Sequence, residues 1–135
     1  MKLPQDPGPA AWNELLPPPA AATPLEHEIT ADWLVVGAGL AGLAAARRLS
    51  KTQAGDRIVV LDAVRVGEGP AGRNSGFMID LPHDLSSSNY GGALDRDREQ
   101  IENSRAAIQF ALEAASEYGL PAEAIQHCGK INAAA

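Results

Sequence analysis

Apolar positions along the chain fall into three patterns. Two are short, nearly continuous runs, Ala31 to Val36 and Arg57 to Leu61. The third is spread at helical spacing through Ile101, Ile108, Ala111, Leu112, Ala115 and Tyr118. The short runs read as strands with both faces covered. Between them, Leu40 to about Ser50 is Ala-rich and reads as a helix, and Lys51 to Asp56 as a connection turning at Gly55. Strand, helix and strand at this length predict a right-handed crossover with parallel strands. Arg47 and Arg48 are expected on the helix's solvent face. The third pattern predicts a long amphipathic helix from Leu94 to Tyr118, acidic at its start and ended by Gly119 and Pro121. A short turn over Ala122 to Gln126 is expected next, and Cys128 to Ala135 reads as the opening of a strand. The fold class is α/β: a Rossmann-like βαβ unit with a long amphipathic helix, and incomplete.

Three segments follow: a Pro-rich arm over 1–30, a domain over 31–126, and a strand start over 127–135. Seven of the ten prolines lie in the arm. Proline fixes φ and removes backbone donors, so the arm is expected to be extended, not helical. Trp12, Leu15 and Leu16 are its apolar anchors. It is either a loose tail or an arm docked through Trp12.

The turn between the first strand and helix carries Gly37, Gly39 and Gly42 as G-x-G-x-x-G. The first glycine allows a tight turn, the second a close approach of pyrophosphate, the third close helix–strand packing. The helix start then points N–H groups at phosphate. Asp62 ends the second run, 20 residues beyond Gly42, where an acid is suited to ribose hydroxyls. The bland alternative is an ordinary βαβ unit with a tight turn. A second glycine-rich stretch, Gly67 to Gly76, follows the acid. Arg73 brings a permanent charge and a donor fork suited to phosphate, and Asn74 and Ser75 bring neutral donors.

Other chemistry is thin. A net charge of −6 argues against non-specific nucleic-acid binding. No apolar run is long enough to span a bilayer. The one cysteine, Cys128, excludes an internal disulfide and fits a reducing compartment, so a cytoplasmic location is expected. No Cys/His cluster has metal-ligand spacing, so no metal is expected. His83 beside Asp84 has the groups for acid–base work but reads as a solvated loop pair, and Cys128 beside His127 reads as a passive cysteine rather than a reactive thiol, since no general base is placed by the sequence.

The run Val35 to Ala46, together with Gly72-Arg73-Asn74-Ser75-Gly76, resembles the FAD-dependent oxidoreductases of the D-amino-acid oxidase (DAO) type, which include glycine and sarcosine oxidases. Trp12-Asn13 in the arm and Gly129-Lys130-Ile131-Asn132 look similar to a bacterial branch resembling gamma-glutamylputrescine oxidoreductases. The resemblance matches the N-terminal third of such an enzyme. It implies an extended FAD lying across the strand ends. Gly37, Gly39 and Gly42 would line the pyrophosphate turn, with Leu40 and Ala41 between them. Asp62, with Ala63 beside it, would hold the adenosine ribose. Gly72, Arg73, Asn74, Ser75 and Gly76 would pass beside the pyrophosphate towards the flavin. The family oxidises a C–N bond by hydride transfer to flavin, which makes an amine or amino acid the expected substrate. Two positions depart from the pattern. Asp62 stands where Glu is frequent, and Ala71 where a Ser often precedes the glycine. Some relatives attach flavin through a His in this loop; Asn74 is no nucleophile, so FAD is expected to be non-covalent. The catalytic residues are not identified, and this chain alone is expected to be catalytically incomplete. Two alternatives stand beside this reading: an NAD-dependent Rossmann dehydrogenase, and an inactive fragment that only folds or associates.

Overall fold

The two apolar runs form β1 (Trp33–Val36) and β2 (Ile58–Leu61). The strands pair in parallel, Trp33 opposite Ile58 and Val36 opposite Leu61. Parallel neighbours need a crossover, and α2 (Leu40–Thr52) supplies it. In this computed structural model, residues 8–18, 21, 23–81 and 94–129 are described. The chain divides into two compact units, Met1–Ser75 and Gly76–Ala135.

Both strands start later than their apolar runs because the entry end of the sheet is closed by polar bonds. Asp32 Oδ2 accepts the Arg57 N–H at 2.7 Å, and Arg57 O accepts the N–H groups of Asp32 and Trp33 at 3.0 and 3.2 Å. The Trp33 indole donates to Asp56 Oδ2 at 2.8 Å. α2 outruns its predicted end through the same kind of local bond. The hydroxyls of Ser50 and Thr52 donate back to the carbonyls of Arg47 and Arg48. Lys51 in the last turn suits the negative end of the dipole, and Gly55 turns the chain at φ +102°.

Two burial expectations are corrected. Arg47 is buried at 8% exposure, whereas Arg48 is exposed. Arg47 stands three residues after the half-buried Ala44, on the same face of the helix. The sheet is also not covered on both faces. α2 packs on both strands, but Leu34 and Val36 alternate onto the opposite face and stay 58% and 79% exposed. On this face Leu34, with Val59 and Leu61, lines an open cavity shared with the irregular segment Leu25–Ile29.

The arm is not wholly extended. A single turn, α1 (Ala11–Glu14), forms in the proline-free interval between Pro9 and Pro17. Ala10 is fully buried, and its carbonyl accepts the N–H groups of Asn13 and Glu14.

In the second unit, α3 (Leu94–Glu117) follows the predicted periodicity, with Ile101, Ile108, Ala111, Leu112 and Ala115 half-buried. Tyr118 departs from it and is 66% exposed. The helix ends just before it, through a bond from Leu120 N–H to Ala115 O at 2.9 Å and a left-handed Gly119. Asp80 Oδ2 accepts from Arg105 Nε at 3.0 Å, and this partner holds the Asp80 carboxyl below the usual carboxylate range. A short 3-10 turn covers Ala122–Ala124. His127, Cys128 and Gly129 are irregular, and Cys128 is exposed. The rest of the expected terminal strand, from Lys130 on, lies outside the described residues, as do His83 and Asp84.

Candidate functional site

The site is built where the chain leaves β1 and β2. Gly37 N–H donates to Leu61 O at 2.7 Å, so the ladder extends one residue beyond β1. Gly37 then turns at φ +102°, a region that favours glycine. Gly39 is the N-cap of α2 and offers no side-chain acceptor to the helix start. The first turn of α2 therefore begins uncapped, with Leu40 and Ala41 exposed. An uncapped helix start with its dipole is suited to an anion. Gly42 has a different task. A Cβ added there would stand 1.8 Å from Gly37 O and 3.3 Å from Val35 Cγ1. Its missing side chain is what lets α2 sit against the turn.

Asp62 leaves the end of β2 and braces that turn. Its Oδ2 accepts the Ala38 N–H at 2.7 Å and its Oδ1 accepts the Val64 N–H at 2.9 Å. The Ala38 bond, followed by the Val64 bond, holds the carboxyl below the usual range, against a smaller opposing effect of burial. Each carboxylate oxygen keeps a second lone-pair site, so the ionised group retains acceptor capacity for hydroxyls. The neighbouring Ala63 is exposed.

The second glycine-rich stretch folds against this turn. Gly67 N–H donates to Ala38 O at 3.3 Å, and the position of a Cβ on Gly39 lies 3.8 Å from Ala71 Cβ. A 3-10 turn over Pro70–Gly72 returns the chain on itself. A Cβ on Gly72 would meet Gly67 O at 1.9 Å and Ala10 Cβ at 3.4 Å. Gly72→Ala is expected to lower stability by about 1 kcal/mol, because a surface loop relaxes more readily than a packed helix. Thermal unfolding of the variant checks this.

The described structure gives Arg73 protein partners. Its Nε donates to Glu68 O at 2.9 Å, its guanidinium donates to Gly8 O, and it lies 3.8 Å from Glu68 Oε2. Asn74 Nδ2 donates to Ala71 O at 2.6 Å, while Ser75 and Gly76 are exposed. Thus Gly37, Gly39, Gly42 and Asp62 converge around Ala38, and the Gly67–Gly72 turn joins them through Ala38 and Ala71. Sequence reasoning missed Glu68, which is 5% exposed, and Ala38, which is 1% exposed. The available signal was a lone carboxylate between Gly67 and Gly69.

Among the described residues, no helix is long and apolar enough to cross a membrane, and no group of three or more His, Cys, Asp or Glu is placed to hold a metal ion.

Comparison with known proteins bears on this arrangement. Over 55 residues, 41% of this chain, it is 46% identical to gamma-glutamylputrescine oxidoreductase of Escherichia coli (strain K12). Over 57 residues, 42% of the chain, it is 44% identical to the probable oxidoreductase OrdL of Haemophilus influenzae (strain ATCC 51907 / DSM 11121 / KW20 / Rd). Each match spans 12% of the relative's own length. No solved structure matches the chain. The model of the DAO family, described as FAD dependent oxidoreductase, matches residues 32–135. With a glycine turn, an acid at the second strand end and more than half of its length inside that match, the chain belongs to the DAO family of FAD-dependent oxidoreductases.

Proposed function

We propose that this chain forms the pyrophosphate- and ribose-binding portion of an oxidoreductase that oxidises a C–N bond of an amine or amino acid, with FAD held non-covalently. The observation that carries the reading is the meeting of the two glycine-rich stretches at Ala38. The residues fit the group. The uncapped start of α2 offers N–H groups of Leu40 and Ala41 to a phosphate, and Gly37 and Gly39 leave the backbone approachable. Asp62, braced by the Ala38 N–H and with its carboxyl held low, would accept hydroxyls of the adenosine ribose. Gly72 to Gly76 would continue the site on the flavin side. Bound FAD would supply the redox chemistry, as acceptor of the substrate's hydride with reoxidation by oxygen or another acceptor. Family membership favours FAD over the nicotinamide alternative. The likeness to gamma-glutamylputrescine oxidoreductase supports an amine-bearing substrate.

A visible spectrum tests the reading. Purified protein mixed with FAD and passed through gel filtration is expected to carry flavin bands. Acid precipitation is expected to release them to the supernatant, as a non-covalent cofactor requires. A colourless protein in excess FAD overturns the cofactor assignment. Flavin that stays in the acid pellet overturns non-covalent binding.

A further inference from the structure

The proline-rich arm and the second glycine-rich stretch are joined by bonds spanning 58 to 65 residues of sequence. Glu68 is at their centre. Its side chain is 5% exposed, and Oε2 accepts the Ala10 N–H at 3.1 Å. Its backbone carbonyl accepts from Arg73 Nε, and its carboxylate lies 3.8 Å from the same guanidinium. Arg73 in turn donates to Gly8 O. Farther along the arm, the Trp12 indole donates to Asn74 O at 2.7 Å. A buried carboxylate is costly unless it is paired and hydrogen-bonded. Here Oε2 meets the arm on one side and Arg73 on the other, while Oε1 lies 3.9 Å from Arg65 Nη1 within the loop itself.

We propose that the segment Gly8–Glu14 is a clasp on the Gly67–Ser75 loop, with the buried Glu68 carboxylate as its hub, and that the clasp positions Arg73 and Asn74 for the cofactor. Glu68 is a positioning residue, acting through Arg73. Trp12 holds the loop backbone at Asn74, immediately before Ser75. The inference about the cofactor rests on the FAD reading above; the clasp itself does not.

Two measurements on the purified protein separate these levels. Amide hydrogen exchange without FAD reads the clasp. Glu68→Ala is expected to speed exchange at Ala10 by about tenfold, the scale of one lost hydrogen bond to a charged group. Exchange in β1 and β2 is expected to stay at the wild-type rate, which shows that the variant is folded. Glu68→Gln keeps an acceptor for Ala10 and is expected to restore most of that protection. Trp12→Phe keeps the ring, loses the indole donor, and sits at an exposed position that tolerates the change. The rate of FAD release reads the positioning. It is expected to rise roughly three- to tenfold in Glu68→Ala and Trp12→Phe, with the Gln variant in between. Unchanged exchange at Ala10 in Glu68→Ala overturns the clasp. Faster exchange with wild-type FAD release overturns the positioning role. A wild type that takes up no FAD overturns the cofactor reading and with it the positioning role, while exchange at Ala10 still decides the clasp. If Glu68→Ala fails to fold, Trp12→Phe decides both levels: exchange at Asn13 and Glu14, whose N–H groups the docked Ala10 carbonyl accepts, is expected to quicken together with FAD release, and wild-type exchange there overturns the clasp.

Discussion

Gly42→Ala is expected to cost about 2 to 3 kcal/mol of stability and to abolish FAD retention on gel filtration. The reason is steric and local. The added methyl would stand 1.8 Å from Gly37 O, about half of an ordinary contact distance. The carbonyl cannot swing away as a side-chain tip would. Gly37 holds a left-handed φ of +102°, and its N–H is bonded to Leu61 O. Val35 Cγ1, 3.3 Å from the same methyl, blocks a small slide of α2 along the strand. Alanine is the better helix former by about 1 kcal/mol, but that gain is smaller than the strain. The helix must therefore lift from the sheet or the turn must open. Either change moves the N–H groups of Leu40 and Ala41. Denaturant unfolding with gel filtration in FAD measures both effects. A variant as stable and as yellow as the wild type would show that the turn accommodates a methyl, and that the close helix–strand approach is not what Gly42 is for. Gly39→Ala is the matched control. Its methyl would meet only Ala71 Cβ, at an ordinary 3.8 Å, so any loss of FAD with full stability isolates approach to the cofactor from packing.

The contrast between these two glycines shows what a sequence can and cannot convey. The G-x-G-x-x-G spacing reports a turn and a helix start, because backbone sterics act within a few residues. β1, α2, β2 and α3 were readable for the same reason, within one or two residues at their ends. What was not readable is pairing at a distance. Arg73 reads as a phosphate ligand from its type and its neighbours. In the structure its donors reach Glu68 and Gly8, and the second of these is 65 residues away in sequence. Asp62 reads as a ribose acid from its place after β2. Its bond to Ala38, in the turn itself, could not be inferred from spacing. Arg47 and Tyr118 failed differently. The sequence placed Arg47 on the solvent face, but the residue is buried at 8% exposure. It placed Tyr118 inside, but the helix ends one residue earlier and the backbone leaves the pattern. Leu34 and Val36 show a third limit. An apolar run states that a strand can be covered on both faces, not that the cover is at hand.

Asp62→Asn is expected to weaken FAD binding by about 10- to 30-fold and to lower stability by about 1 kcal/mol, the exposed setting reducing the usual worth of bonds to a charged acceptor. An amide cannot serve both backbone donors. Its oxygen accepts one of Ala38 N–H and Val64 N–H, and its NH2 then faces the other, donor against donor. The turn loosens where the helix start is aimed. Acid provides an independent check. The carboxyl is held below its unfolded value, near 4, by the Ala38 bond before all else, so it binds protons less readily when folded. Its contribution is therefore complete above about pH 4 and is lost as pH falls through the lowered folded-state value. Thermal unfolding between pH 3 and 7 is expected to show a shallower acid limb in the Asn variant than in the wild type. Identical acid limbs would mean that other carboxylates govern acid stability and that Asp62 does not brace the turn. Asp62→Glu then separates charge from reach. It keeps the ionised group but sets it one methylene farther out, so wild-type FAD affinity in that variant would show that charge alone suffices. A loss comparable to that of Asn would show that the brace on Ala38 requires the short side chain.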